Sequence, residues 1–326
     1  MIRTKVIACE NPEACASTIS NADVKFIVTS RGQFRAELTL VQLPRVHTLQ
    51  LEEALPRVIH SAVKPERFMI YFLADVNQAP VHHSGMEVSP GDIMAISRAS
   101  SHYHRSEGPC RWGGMSLTHE DIATAGRSLV GLDLAAPPVT QRLRPPLPLL
   151  SRMQKLHSRI ERLVRVAPNL LAYPEVLRSI ESELIHVMVR CLTDSTVKKM
   201  SIAGRRHLAI MRRFEEFLKN SVRSIYLQEI CDAIGTPERT LRTCCEEHLG
   251  MGPMRYLWLR RMHLARNALL RGNPTTSTVT EIATEFGFWE LGRFSQEYFQ
   301  LFDELPSATL RSPMGDLRPP NWMVFA

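Results

Sequence analysis

From position 34 to about 117, apolar and polar residues alternate with a period of two. Phe34, Ala36, Leu38 and Leu40 fall on one side, and Arg35, Glu37, Thr39 and Val41 on the other. That period belongs to strands with one buried face. Arg67 to Leu73 is apolar almost throughout and reads as a more buried strand. Gly85 to Ile93 reads as strand, tight turn and strand, with Pro90 and Gly91 at the turn. Short strands broken repeatedly by Gly and Pro predict a small barrel or sandwich. Prolines at 137, 138, 145, 146 and 148 then mark a linker, and the period becomes helical. Leu149, Met153, Leu156, Ile160 and Leu163 form one stripe. Leu177, Ile180, Leu184, Val187, Met188 and Cys191 form a second. With Pro168 between them, they predict an antiparallel helical hairpin.

The C-terminal third repeats one small pattern twice. Leu227 to Ile234 is a short amphipathic helix ended by Gly235, and a second helix follows. Val279 to Phe286 is another, ended by Gly287, and again a helix follows. Each is a helix-turn-helix, a unit that places its second helix in a DNA major groove. A long helix from Pro253 to Leu270 joins them, with Met254, Leu257, Trp258, Met262, Ala265 and Leu269 as its apolar face. A preceding helix runs from Arg205 to Asn220, with Leu208, Met211, Phe214, Phe217 and Leu218 inward.

The run GFWELGRFSQEYFQLF from Gly287 to Phe302, followed by PSATL from Pro306 to Leu310, resembles the signature of AraC-type (AraC/XylS family) transcription regulators. Leu227 to Leu241 and Pro253 to Leu270 resemble the first half of the same domain. The resemblance covers about 100 residues. The Pro-Gly-Asp turn at 90–92 is similar to that of cupin barrels, which such regulators often carry as an effector pocket. The fold expected is therefore α+β and multidomain. A cupin-like β-barrel or sandwich with a helical hairpin precedes an all-α DNA-binding domain of two helix-turn-helix units joined by a long helix. The divisions are 1–138 for effector sensing, 139–200 for linker and hairpin, and 201–326 for DNA. The hairpin stripe packs on the barrel or, as the resemblance implies, forms a homodimer seam; both bury it.

Charge adds a direction. The 326-residue chain carries a formal net charge of +7, which favours an acidic partner, with double-stranded DNA first. Residues 1–138 hold 13 basic and 14 acidic side chains, residues 139–200 hold 11 and 5, and residues 201–326 hold 16 and 14. The excess thus sits in the middle and back. Arg152, Arg159, Arg162 and Arg165 read as a solvated helix face. Seven cysteines in no metal or disulfide spacing suit a reducing cytoplasm. No signal peptide, membrane span, metal or cofactor is expected.

In the first unit, Thr236 is expected to cap the second helix, with Pro237 at its first position. Leu241, Cys244 and Cys245 form its apolar side, which leaves Arg239, Arg242 and Thr243 outward. Those are also the positions that match the family's groove-facing residues, and arginine grips guanine O6 and N7 with two hydrogen bonds. Thr236, Arg255 and Arg260 complete the candidate contacts of this half. Between Arg239 and Arg271 there are seven arginines and two glutamates, a footprint suited to phosphates. Between Val279 and Leu305 there is one arginine, Arg293, against six acids. There Gln296 matches a groove position and suits adenine, whereas Gly292 offers no side chain. This acidic unit is expected to read few bases and to face another protein, such as RNA polymerase. Phe288, Trp289, Phe294, Tyr298 and Phe302 read as core.

Two rival readings remain. His102 and His104 lie on one face of a strand with Glu107 behind, as in metal-binding cupins, so a cupin-type metal enzyme with a helical adaptor is one. Against it, the fuller cupin pattern is incomplete, and no catalytic triad, phosphate loop or carboxylate pair stands out. The histidines, with His82 and His83, read as surface or pocket lining; Tyr71, Phe72 and Trp112 read as core or cavity wall. The other rival is a helical interaction module without DNA binding.

Overall fold

The computed structural model describes residues 3–19, 22–98, 101–219 and 226–311. The end of the helix predicted to reach Asn220, and the tail from 312, lie outside them.

The N-terminal half is two antiparallel sheets. The strands are β1 (Arg3–Cys9), β2 (Ala22–Val28), β3 (Ala36–Gln42), β4 (His47–Glu53), β5 (Arg57–Val63), β6 (Arg67–Leu73), β7 (Val81–His83), β8 (Met86–Val88), β9 (Ile93–Ala95), β10 (Ser101–Ser106), β11 (Cys110–Thr118), β12 (Gln141–Arg144) and β13 (Thr196–Lys198). Eight of them form one sheet in the order β1-β3-β4-β11-β6-β9-β12-β13, and five form the other in the order β2-β5-β10-β7-β8. The architecture is a two-sheet sandwich rather than a closed barrel. The Pro90–Gly91 turn does not close a hairpin, because β8 and β9 belong to different sheets. It carries the chain across the sandwich instead. Gly91 sits at φ +110, which disfavours other residues, and Asp92 pins the turn by accepting from the Ser89 N–H at 3.0 Å. The short strands β12 and β13 pair with each other at the sheet edge, and β12 also pairs with β9. The proline-flanked segment expected as a linker is therefore part of the sheet.

Three helices cover the outer face of the larger sheet: α2 (His119–Val130), α3 (Leu147–Val166) and α4 (Pro174–Thr193). Thr118 caps α2, its hydroxyl accepting from the Asp121 N–H at 3.0 Å. The hairpin stripes bury Met153, Ile160, Leu184 and Met188 against Phe68, Ile70, Phe72 and Leu117. Phe72 thus belongs to this outer core and not to the sandwich interior. At the other side, α1 (Pro12–Thr18) packs beside β2, with Cys15 fully buried.

The C-terminal half is all helix: α5 (Ile202–Lys219), α6 (Leu227–Ile234), α7 (Glu238–Leu249), α8 (Pro253–Arg271), α9 (Val279–Glu285), α10 (Leu291–Phe302) and α11 (Pro306–Arg311). Gly235 ends α6 at φ +60, and Gly287 follows α9 at φ +77. A reciprocal cap between Thr278 and Glu281 starts α9. Met211, Phe214, Leu241, Cys245, Leu257, Met262, Phe294 and Tyr298 form one core through both units. That core continues into the small sheet through Ile27, Val58 and Tyr103.

Candidate nucleic-acid interface and internal cavity

The side chains buried on the two second helices correspond. Leu241, Cys245, His248 and Leu249 on α7 match Phe294, Tyr298, Leu301 and Phe302 on α10, each pair 53 positions apart. By this register Arg239 corresponds to Gly292, Arg242 to Ser295 and Thr243 to Gln296. The first unit therefore presents two guanidiniums where the second presents a bare backbone and a hydroxyl. Gly292 has open space about it.

Arg239, Arg242 and Thr243 are exposed on α7. Arg242 is held along its own helix, its Nη2 2.6 Å from Glu238 Oε1. Thr243 donates to the carbonyl of Arg239 at 3.1 Å. Thr236 differs from expectation. The helix starts at Glu238 with Pro237 at the cap, and Thr236 is buried, its hydroxyl donating to the Ile234 carbonyl and accepting from Arg213. Arg260 differs too. Its Nη2 donates to the Leu218 carbonyl at 2.5 Å, and it lines a cleft against β2. The helix α8 has packing partners on that side, which its own pattern could not reveal. Arg266 likewise turns inward, to Glu304 at 3.0 Å. Arg255 is exposed, its guanidinium 4.2 Å from the ring centre of Trp258. The basic footprint counted along the sequence is thereby reduced, with Arg239, Arg242 and Arg255 outward.

In the second unit Arg293 and Gln296 are exposed, and Arg293 is paired with Glu297 at 2.8 Å. Trp289, expected in the core, is 76% exposed just before α10. Its neighbour Phe288 fills the core place instead, 4.8 Å from Phe294. Met254 is also exposed rather than buried.

Between its sheets the sandwich holds a cavity of about 290 Å³ that is partly open to solvent. Val24, Phe26, Ile59, Ser61, Val63, His102 and His104 line it from the small sheet, and Leu40, Leu49, Met69, Tyr71, Trp112 and Gly114 from the large one. Alternation along a strand sends neighbouring residues to opposite faces. On β10, His102 and His104 face the cavity, while Tyr103 donates to Glu215 of α5 at 3.1 Å. On β5, Ile59 and Ser61 face inward, and His60 Nδ1 lies 3.8 Å from Glu215. On β2, Val24 and Phe26 face inward, and Lys25 donates to Glu215 at 3.2 Å. Three strands thus form one wall with the cavity on one side and the helical domain on the other. Further along the seam His263 of α8 binds the Val28 carbonyl at 3.1 Å, and Arg31 pairs with Asp303 at 2.7 Å.

Behind His104 and Trp112, outside the cavity lining, lies a fully buried ion pair, Arg57 Nη2 to Glu53 Oε2 at 2.6 Å. Trp112 donates to the same carboxylate at 3.1 Å. Burial lowers His102 to about 3 and His104 well below its usual value, so both rings are neutral. Glu107 does not join them: it is exposed and pairs with Arg105 at 3.0 Å. The three residues of the metal-site reading are not brought together. Among the described residues no group of three or more His, Cys, Asp or Glu side chains is placed to hold a metal ion. None of the described helices is long and apolar enough to cross a membrane. Sequence reasoning missed Glu215, one of two adjacent acids on an amphipathic helix, because only the docked sheet gives it meaning.

A helix-turn-helix domain family matches residues 230–312. An activator of the XylDLEGF operon from Pseudomonas putida (activator 2) is 40% identical over 126 residues, covering 38% of this chain and 77% of that protein. A probable thc operon regulatory protein from Rhodococcus erythropolis is 36% identical over 104 residues, and the chain spans 31% of its length. Among solved structures, the AraC-like transcriptional activator CuxR is 14% identical, with a TM-score of 0.41 over 81% of this chain and 95% of that one. ToxT from Vibrio cholerae with an unsaturated fatty acid bound is 12% identical, with a TM-score of 0.30 over 95% and 94%.

Proposed function

The chain belongs to the AraC/XylS family of DNA-binding transcription regulators, and from that premise we propose an effector-responsive activator whose first helix-turn-helix unit carries most of the base reading. Arg239 and Arg242 take guanines in the major groove, Thr243 reads beside them, and Arg255 holds a phosphate. Gln296 and Arg293 make the lesser contacts of the second unit. The protein works in the cytoplasm, where its DNA is, and a regulator of this kind needs no catalysis of its own.

The observation that carries the effector reading is the shared wall. The residues of β2, β5 and β10 that line the cavity alternate with those that hold α5. A molecule entering the cavity presses on the same strands that hold the DNA-binding domain. A ligand shifts an equilibrium only by its differential affinity for two states, and a wall one strand thick supplies such a difference.

Two partners follow from exposed surfaces. Val166, Leu170 and Tyr173 are exposed around the turn of the helical hairpin and suit a homodimer seam. Trp289, Leu291, Phe299 and Leu305 are exposed on the acidic second unit and suit RNA polymerase.

The test is genome-wide mapping of sites bound by the tagged protein, followed by binding measurements on the strongest site. Discrete sites with a common motif are expected, and Arg239→Ala should lose preference at one base position. Binding indifferent to both Arg239→Ala and Arg242→Ala would remove the assignment of base reading to α7.

A further inference from the structure

The cavity between the sheets is polar at its mouth and again at its far end, and the two ends ask for different groups. On β6 the inward positions are Arg67, Met69 and Tyr71. Arg67 and Tyr71 are four residues apart, about 13 Å along the strand. Arg67 stands at the mouth, where Lys64 and Glu66 of the β5–β6 turn are exposed and Gln42 and His47 join the lining.

Arg67 is the desolvated charge of that mouth. Its Nε donates to Ser116 Oγ at 3.1 Å, and its Nη2 to the carbonyls of Ser116 and Arg45. All three acceptors are neutral, and among the described residues no carboxylate pairs with it. Burial lowers its pKa, although Asp121 acts from farther off in the other direction. His47 adds no charge, since burial and then Arg67 lower it to about 4. Lys64 and Glu66 carry opposite charges in open solvent. A half-buried guanidinium without a counter-charge favours an anion beside it.

At the far end the need is for an acceptor. Arginine carries none, so the 3.1 Å contact between Arg57 Nη2 and His104 Nδ1 makes Nδ1 the acceptor. The proton of the neutral ring then sits on Nε2, a buried donor with no partner among the described residues. The Tyr71 hydroxyl is likewise buried and unpartnered. Both side chains line the cavity, one from each sheet, with ring centres 5.7 Å apart. The charged residues of the lining are all at the mouth; Arg57 lies behind His104 and is paired with Glu53. An uncharged oxygen therefore satisfies the far donors, whereas a second carboxylate would be buried without a counter-charge. Between the ends the walls are apolar, with Val24, Leu40, Leu49, Ile59 and Met69.

We propose that the cavity takes a two-ended organic acid, with its carboxylate at Arg67, an apolar body between the sheets, and an uncharged oxygen bound by His104 Nε2–H and Tyr71 O–H. This rests on the reading of the cavity as the effector site and names the effector's chemical class.

Calorimetric titration of the full chain with three size-matched probes tests it. The probes are para-acetylphenylbutanoate, which has both groups, para-ethylphenylbutanoate, which lacks the far oxygen, and para-butylacetophenone, which lacks the charge. The first should bind roughly tenfold tighter than para-butylacetophenone and roughly fivefold tighter than para-ethylphenylbutanoate, the worth of a hydrogen bond to a charged group and to a neutral one. Arg67→Met should abolish the first advantage and leave para-butylacetophenone unchanged. Tyr71→Phe, which removes a hydroxyl with no partner to lose, should cut the second to within about twofold and leave para-ethylphenylbutanoate unchanged. In the native chain, para-butylacetophenone binding as tightly as para-acetylphenylbutanoate would overturn the anion at Arg67. Equal binding of the two acids would overturn the far acceptor, and either result leaves the cavity a ligand site. Failure of all three probes would overturn both this class and the effector reading beneath it.

Discussion

At the level of single residues the two units divide the work unequally. Arg242→Ala should weaken binding to the best site by ~1–3 kcal/mol and relax one base position. Gln296→Ala should cost less, because the carboxylates around it repel phosphate. Side-by-side titrations of both variants check the order, and a larger loss at Gln296 reverses it. Glu215 gives a second prediction. Burial pushes its carboxyl up, but its cationic neighbours, His60 when protonated and then Lys25 and Arg260, outweigh that and hold it below its usual value. Burial also lowers His60, so at neutral pH that ring is uncharged and Lys25 is the working partner. The two signs agree. His60, a base with a depressed value, loses stability for the fold once pH falls below ~6.5, where the unfolded chain takes up the proton first. Glu215 contributes above ~4.3, and its share is lost as pH falls through its folded value. Denaturation midpoints should therefore decline from about pH 6.5 downward, and His60→Gln should flatten the first part of that decline. An unchanged slope in the variant would assign the acid sensitivity to the other buried histidines. The residues misread from the sequence share one cause. Thr236, Arg260 and Trp289 have types that predict a cap, a phosphate contact and a core ring, yet their neighbours in space decide otherwise. Phe288 occupies the core beside Trp289, and β2 lies beside Arg260.

Among elements, α8 sets the distance between the two reading helices. Its 19 residues span about 28 Å at 1.5 Å each. With the turns at its ends it holds α7 and α10 near one helical turn of DNA, ~34 Å. Hydroxyl-radical footprinting of the full chain should show two protected major-groove segments about 10 base pairs apart, the second weaker. Protection of a single segment would mean that α10 does not dock. The elements that were legible, both helix-turn-helix units and the hairpin, have unbroken 3.6-residue periods and glycine or proline stops. Those that were not, such as α1, β12 and β13, are pieces of seven residues or fewer, too short to show a period, and β13 is exposed throughout and held by its pairing with β12. Period-two alternation identified β3 and a continuous apolar run identified β6, but neither could say that the Pro90–Gly91 turn passes between sheets. Nor could either show that β10 has a cavity on one face and a protein seam on the other. His102, His104, Tyr71 and Trp112 were legible as unusual side chains on strands; that they converge was not.

Across the whole molecule, the seam between sheet and helices behaves as part of the core. Glu215 is 2% exposed there, and Ile27, Val58 and Tyr103 pack with the helical residues. Tyr103→Phe removes the donor at 3.1 Å from a buried carboxylate that Lys25 still holds. That oxygen keeps only the longer bond from the Tyr256 hydroxyl, at 3.5 Å, so the change should cost ~1 kcal/mol and raise protease sensitivity around 195–204, where the chain passes between halves. Digestion no faster than in the native chain would show the seam to be insensitive to this bond.

The same seam bears on how the protein is made. Ile27, Val58 and Tyr103 leave the ribosome more than 100 residues ahead of Met211 and Leu257, the groups that cover them. At ~5–20 residues per second, the small sheet waits several seconds or longer with an apolar outer face and an unpaired Lys25. A nascent chain stalled near residue 200 would therefore be a sticky sandwich rather than a finished domain, and its yield would depend on whatever shelters that face until α5 and α8 arrive.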